Sequence, residues 1–431
     1  MESLKPQDTV IDALGPAKVD NPLDAGKFTP EAGGVQVFIN SHKTSGIHPD
    51  ILFEEAGPRE KLYFDPSKTK CAIVTCGGLC PGINDVIQSI VMTAHYNYHV
   101  ASVLGIRYGL EGFIPKFKHD LMDLTPGTVS RIHEFGGTVL GSSRGPQPAE
   151  DIVDALERMN VSILFMIGGD GTMRAASRVV EEIHARGCRI SVIGVPKTID
   201  NDINFVTTSF GFDTAVAKAT ESIRCAHVEA IGAPNGVGVV KLMGRESGFI
   251  AAQAALALKE VNFVLVPEDH FELHGEKGLI TSVYKRVVER GHAVIVVAEG
   301  AGQHLLRQSG QTDASGNKVL GDISHLVISE IKNIFNENGV ELVLKFIDPS
   351  YIIRSIPANS NDRVYCGFLG QSAVHAGMAG KTGMVVSKWN GCYVHIPLEL
   401  VTLKRKKIDL DSNFWRAVLE STGQPRCMAD A

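Results

Sequence analysis

Residues 162–202 read SILFMIGGDGTMRAASRVVEEIHARGCRISVIGVPKTIDND. The run at 162–167 is almost wholly apolar and too short for an ordinary helix, so it predicts a buried strand. GGDGT at 168–172 is a turn. From 173 to 185 the apolar residues recur at helical spacing, and 190–195 is a second buried strand, which ends in the polar string PKTIDND. Two apolar strands joined through a helix form the unit of a parallel sheet with helices on both faces.

The same rhythm extends in both directions. Upstream, CAIVTC at 71–76 reads as a strand, GGLCPG as a turn, 83–95 as a helix, 100–105 as a strand and 149–159 as a helix. Downstream, strands are expected at 236–242, 263–266, 293–298 and 341–346, with helices at 247–258, near 276–290 and at 325–335. The fold class is therefore α/β: two doubly wound lobes with mostly parallel sheets, an active-site cleft between them, and an N-terminal extension. Residues 1–69 lack the rhythm. They are rich in Pro, Asp and Gly and predict an irregular segment that packs over a domain surface, with one strand near 35–39. The polar stretch 302–322 predicts a surface loop.

Composition narrows the function. The 431 residues are 44% hydrophobic and 21% charged, as in a packed globular protein, and the formal net charge of −6 offers no basic field for nucleic acid. The eight cysteines show no zinc spacing and read as reduced cytosolic thiols. Residues 1–18 lack the apolar core of a signal peptide, and no apolar run reaches the ~18 residues of a membrane helix. The expectation is a cytoplasmic protein with small-molecule partners, and with neither nucleic acid nor membrane among them.

Three Gly-rich or Asp-rich turns follow apolar strands, which places them on one sheet edge, where ligands of open α/β sheets sit. In GGLCPGIN, Gly77 and Gly78 allow close backbone approach, and the following helix offers unpaired N–H groups to an anion; a plain tight turn fits equally. In GGDGT, Asp170 suits a magnesium ion beside phosphates, or a helix cap. In PKTIDND, Asp200 can accept a hydroxyl proton, with Asp202 helping to orient it or to hold the metal environment. Lys197 can offset charge on a moving phosphoryl group; a loop of Asx turns is the bland alternative. Arg245, in MGR at 243–245, can grip a phosphate or make a surface ion pair. Tyr351 and Arg354, with Lys345 upstream, are further candidates, and Glu299 ends a strand as a cleft residue does.

Taken together, GGDGT, PKTIDND and MGRESGFIA, in that order, resemble the 6-phosphofructokinase family from Cys71 to about Gly380. CGGLCPGIN and YIIRS look like its long branch of plant, trypanosomatid and some bacterial enzymes. The resemblance implies that Gly78, Arg144, Gly145, Gly169, Asp170, Gly171 and Thr172 hold the phosphoryl donor, with Asp170 serving Mg2+. It implies that Asp200 is the general base, with Asp202, Lys197 and Thr198 beside it. Thr198, Ile199, Asp200, Met243, Gly244, Arg245, Glu299, Tyr351 and Arg354 would bind fructose 6-phosphate. Lys345 falls where short bacterial relatives carry a phosphate-binding arginine. The implied division is an extension (1–69), a donor lobe (70–211 plus about 355–400) and a sugar-phosphate lobe (212–354 plus about 401–431). A homodimer or homotetramer is implied as well. One position departs: where short bacterial enzymes place an arginine that reaches a neighbouring subunit, nine residues before Arg245, this chain has Gly236.

The donor is read as ATP. Gly171 is the ATP-type residue, because a carboxylate there would crowd and repel an α-phosphate, which pyrophosphate lacks. Lys197 points toward pyrophosphate, yet plant-like and trypanosomatid-like ATP enzymes combine both features. The alternatives are a pyrophosphate-dependent phosphofructokinase and, remotely, a non-catalytic regulatory subunit, which should have lost Asp170 or Asp200. An NAD or lipid kinase would explain GGDGT but neither PKTIDND nor MGR.

Overall fold

The computed structural model describes residues 4–24, 26–39, 50–307, 310–312 and 318–430. Its main elements are β1 (Val35–Gln36), β2 (Leu52–Glu55), β3 (Lys70–Thr75), α1 (Ile83–Met92), β4 (Ser102–Ile106), β5 (Met122–Asp123), α2 (Ala149–Arg158), β6 (Ile163–Gly168), α3 (Asp170–Arg186), β7 (Ser191–Pro196) and α4 (Phe212–Ile231). They continue as β8 (Gly236–Leu242), α5 (Phe249–Leu258), β9 (Phe263–Leu265), α6 (Leu279–Arg290), β10 (His292–Ala298), α7 (Ile323–Glu337), β11 (Val343–Ile347), α8 (Ser350–Ser355), α9 (Ser360–Met378), β12 (Met384–Trp389), β13 (Cys392–Pro397) and α10 (Asn413–Thr422). The chain forms two compact units, one of residues up to 199 with 203–211 and 355–405, the other of 200–202, 212–354 and 406 onward.

The first unit carries a nine-stranded sheet in the order β1-β2-β13-β12-β7-β6-β3-β4-β5. Its inner strands β12, β7, β6, β3 and β4 are parallel, and antiparallel strands close both flanks. β6 and β7 are buried along their whole length, which explains why they read as unbroken apolar runs rather than as alternating ones. The second unit has a smaller, all-parallel sheet in the order β9-β10-β8-β11. Its core gathers Val237, Val239, Ile295 and Val297 from the sheet with Leu279, Val283, Val327 and Ile331 from α6 and α7.

Four local expectations shift. The N-terminal segment lies within the first unit and extends its sheet through β2, which pairs antiparallel with β13. The strand expected near 35–39 shortens to β1. The GGDGT turn is shorter than expected, because α3 begins at Asp170, with Gly169 as its N-cap. Of the loop at 302–322, residues 308–309 and 313–317 lie outside the described residues; the rest holds a short turn at Gln303–Leu305 and a bridge from Thr312 to Lys318.

What ties the N-terminal segment down is a buried charge cluster. Arg59 is 2% exposed and donates to Glu54 Oε1 at 2.9 Å. Lys381 Nζ reaches Glu54 Oε2 at 3.0 Å, and His395 Nδ1 lies 2.9 Å from Oε1. Burial alone would raise the Glu54 carboxyl; the His395 hydrogen bond and the nearby cations outweigh it and hold the value down at about 2. Next to this cluster His375 Nδ1 meets the Tyr98 hydroxyl at 2.7 Å.

Burial, followed by the fields of His395 and Arg59, lowers His375 to about 4. It is therefore neutral when folded and charged when unfolded between those values. Stability present above about pH 6.5 is lost as pH falls toward 4, by up to about 3 kcal/mol from this group. Urea titrations at neutral and mildly acidic pH should show His375→Gln losing less stability than the parent over this window. An unchanged pH dependence would reject the assignment.

Candidate functional site

β7, β6 and β3 are adjacent and parallel, with Pro196 beside Gly168 and Thr75 beside Ile167, so their carboxyl ends share one edge of the first unit's sheet. From that edge project Gly77 and Gly78, the start of α3, and Lys197. Lys197 is 6% exposed, and its Nζ donates to the Gly78 carbonyl at 2.7 Å. The Gly77 backbone is fixed by the loop that carries Arg144. Its N–H donates to the Ser143 carbonyl at 3.2 Å, and its carbonyl accepts from Ser142 Oγ at 2.6 Å. A Cβ at Gly78 would lie 3.9 Å from an Arg144 guanidinium nitrogen. Gly78, Arg144 and Lys197 thus lie close together around a glycine backbone.

Asp170 sits in the first turn of α3, where its charge meets the positive end of the helix dipole. Arg174 pairs with it at 2.8 Å and Arg405 at 3.7 Å. Thr172 is buried, and a Cβ at Gly168 would collide with its Oγ1 at 2.1 Å, so this strand end requires glycine. A Cβ at Gly171 would meet nothing within 4 Å. The thiol of Cys76, at the end of β3, is pushed up to about 12 by burial, against the pull of Lys197 and Thr172. It is unsuited to act as a nucleophile.

The second unit presents the other group. The chain enters it within PKTIDND: Thr198 and Ile199 belong to the first unit, Asp200 to Asp202 to the second. Ser209 Oγ donates to the Thr198 carbonyl at 2.6 Å. β8 and β10 are parallel, with Leu242 beside Ala298, which sets Met243–Gly244–Arg245 next to Glu299. Gly244 has φ +130°, and a Cβ there would approach the Ser247 carbonyl oxygen to 2.6 Å, so the turn needs glycine on both counts. The Arg245 N–H points to Asp200 Oδ2 at 3.5 Å, and Ser247 Oγ donates to the Asp200 carbonyl at 3.1 Å.

Burial raises the Glu299 carboxyl, while Arg245, Lys241 and Arg354 pull it back. Arg354 lies over the exposed Tyr351 ring at 4.9 Å. Lys345 stands apart from these cations: half-exposed on β11, it pairs with Glu229 at 3.7 Å. Gly236 is pressed against α4, where a Cβ would lie 2.0 Å from the Ala230 carbonyl oxygen, so an arginine could not replace it without a backbone shift.

Two contributors escaped the sequence reading. Arg174 follows Asp170 by one helical turn, a spacing that could have marked it. Arg405 lies in the charge run KRKK at 404–407, which has no periodicity to give it a place. Among the described residues no group of three or more His, Cys, Asp or Glu could hold a metal alone. The donor chemistry at Asp170, one hard carboxylate beside a phosphate-type cradle, fits a magnesium ion that takes its remaining ligands from water and phosphates. None of the described helices is long and apolar enough to cross a membrane.

The family model described as Phosphofructokinase matches residues 70–377. An ATP-dependent 6-phosphofructokinase of Borreliella burgdorferi is 46% identical over 436 residues, spanning 98% of each chain. One of Trypanosoma brucei brucei is 46% identical over 435 residues, 98% of this chain and 88% of the other. The crystal structure of a pyrophosphate-dependent phosphofructokinase from Marinobacter aquaeolei shares the fold with a TM-score of 0.67 at 21% identity, covering 82% of this chain and 91% of that one.

Proposed function

The chain belongs to the phosphofructokinase family, and from that premise we propose that it is a phosphotransferase that moves the γ-phosphoryl group of ATP onto the 1-hydroxyl of fructose 6-phosphate. The observation that carries this reading is the Asp200 carboxylate, held against the MGR turn by the Arg245 N–H. A carboxylate so fixed can take the hydroxyl proton as the phosphoryl group arrives. Asp202 and Thr198 complete the loop around it.

On the donor side Gly78, Arg144, Gly145 and the turn Gly169 to Thr172 line the phosphates, and Lys197 offsets charge on the leaving oxygens. Asp170 would hold a Mg2+ ion, which would supply neutralisation of donor phosphate charge. On the sugar side Arg245 and Arg354 grip the 6-phosphate, Glu299 accepts from sugar hydroxyls, and Ile199, Met243, Gly244 and Tyr351 are the further sugar-binding residues. Arg245→Ala should raise the KM for fructose 6-phosphate on the order of tenfold, the worth of a charged hydrogen bond. An unchanged KM would move Arg245 to a structural role.

We place the enzyme in the cytoplasm as a homo-oligomer. The open edge of β11, with Lys345 and Phe346 exposed, supports a second copy docking there, where Lys345 would serve the neighbour's sugar phosphate. The test of the function is an assay with fructose 6-phosphate and Mg2+ supplied with ATP or with pyrophosphate, read as fructose 1,6-bisphosphate. A high rate with ATP and little with pyrophosphate is expected. The reverse would make Lys197 the residue that decides the donor, and no product from either would return the chain to a regulatory role.

A further inference from the structure

Beneath the base loop runs a segment of the chain's C-terminal part that has no counterpart in the roles assigned so far. The Lys406 N–H donates to the Asp202 carbonyl at 2.8 Å, and its Nζ donates to Asn201 Oδ1 at 3.0 Å. Both ends of one residue therefore hold the short stretch between the two aspartates. The ammonium also lies over the Phe249 ring at 5.2 Å. Two residues on, the Ile408 N–H donates to Glu268 Oε1 at 2.9 Å, and the same carboxylate caps α5 through the Gly248 N–H at 3.0 Å. The segment is thus anchored to the helix that follows the MGR turn.

Asn201 is where this support is needed. It is 6% exposed and has φ +56°, in the left-handed region that side chains other than glycine enter at a cost. Its two flanking peptide planes set the directions in which Asp200 and Asp202 leave the backbone. Lys406 is half-buried, and an apolar side chain of similar volume would fill that space without a charge to desolvate. A lysine at this place therefore points to the hydrogen bond it makes rather than to packing.

We propose that Lys406 is a positioning residue for phosphoryl transfer, fixing the Asn201 backbone through its side chain and thereby the aim of the Asp200 carboxylate. The proposal rests on the reading of Asp200 as general base. Lys406 acts through Asn201, so its loss shows in turnover rather than in binding.

The test compares Lys406→Met, Asn201→Gly, the double variant and Asp200→Ser, each as full-length enzyme checked for folding by circular dichroism. Asn201→Gly keeps the left-handed backbone accessible while removing the acceptor. Each single variant should lower kcat about 10- to 100-fold, the loss expected of a reacting group displaced by about 1 Å, with both KM values within about twofold. The double variant should be no slower than the slower single one, because both substitutions remove one interaction. Losses that multiply, an unchanged kcat, or a change confined to KM would overturn the proposal. Should Lys406→Met not fold, Asn201→Gly is read alone by the same criterion. A large loss in Asp200→Ser with full turnover in Lys406→Met sinks only this inference, whereas near-normal turnover in Asp200→Ser sinks the base assignment and the inference with it.

Discussion

Asp200→Ser should turn over roughly 10²–10⁴ times more slowly than the parent enzyme, the range for a lost general base, while the KM for fructose 6-phosphate changes little. The split follows from how the second unit builds the site. Asp200 is held by backbone and hydroxyl groups of the MGR turn, namely the Arg245 N–H at 3.5 Å and Ser247 Oγ at 3.1 Å. The Ser247 contact is to the backbone carbonyl and survives the substitution, whereas the Arg245 N–H loses its carboxylate acceptor. The residues expected to grip the sugar phosphate are Arg245 and Arg354, whose charges also pull the Glu299 carboxyl down. Serine offers a smaller hydroxyl that cannot take a proton at neutral pH. Steady-state rates over a range of sugar phosphate concentrations separate the two parameters. A near-normal kcat would reject Asp200 as the base, and a large rise in KM with kcat unchanged would make it a binding residue instead.

The sequence made the inner sheet of the first unit legible because its strands are buried on both faces. ILFMIG and SVIGVP carry no alternation, and β6 and β7 have no exposed residue to provide one. The site's turns were legible for a related reason: parallel strands aim their carboxyl ends at one edge, so three polar turns after three apolar runs had to meet there.

What stayed hidden depends on contacts distant in sequence. β2 looked irregular because its partner is β13, more than 300 residues away, and because its charges Glu54 and Glu55 suggest a surface strand. Only the fold brings Arg59, Lys381 and His395 to Glu54. The start of α3 was misplaced by three residues because Gly169, Asp170 and Gly171 have weak helix propensity, which the free N–H groups of a helix start and a capping glycine override. Lys406 could not be found at all, since its meaning lies in Asn201, some two hundred positions earlier.

Gly171→Asp should lower kcat/KM for ATP by about 10- to 100-fold and leave pyrophosphate use much less affected, the scale expected when like charges are forced together in a binding site. The structure removes the usual objection that such a variant misfolds. Gly171 is exposed, a Cβ there meets nothing within 4 Å, and its φ is not one that side chains avoid. It is the second residue of α3, where an added carboxylate interacts favourably with the helix dipole, by about 0.3–1 kcal/mol. The thermal midpoint should therefore hold or rise slightly, and any loss of ATP use reports on the ligand. The new carboxylate would stand beside Asp170, on the turn read as the phosphate cradle. A nucleotide places a further phosphate and its sugar beyond the two that pyrophosphate shares with it, so it alone has a group to be repelled. Gly171→Asn adds nearly the same volume without the charge and separates the two causes. If Asn costs as much as Asp, space decides; if only Asp does, charge decides. Equal losses for ATP and pyrophosphate in Gly171→Asp would refute both accounts and leave donor choice with Lys197, whose Nζ already lies against the Gly78 carbonyl.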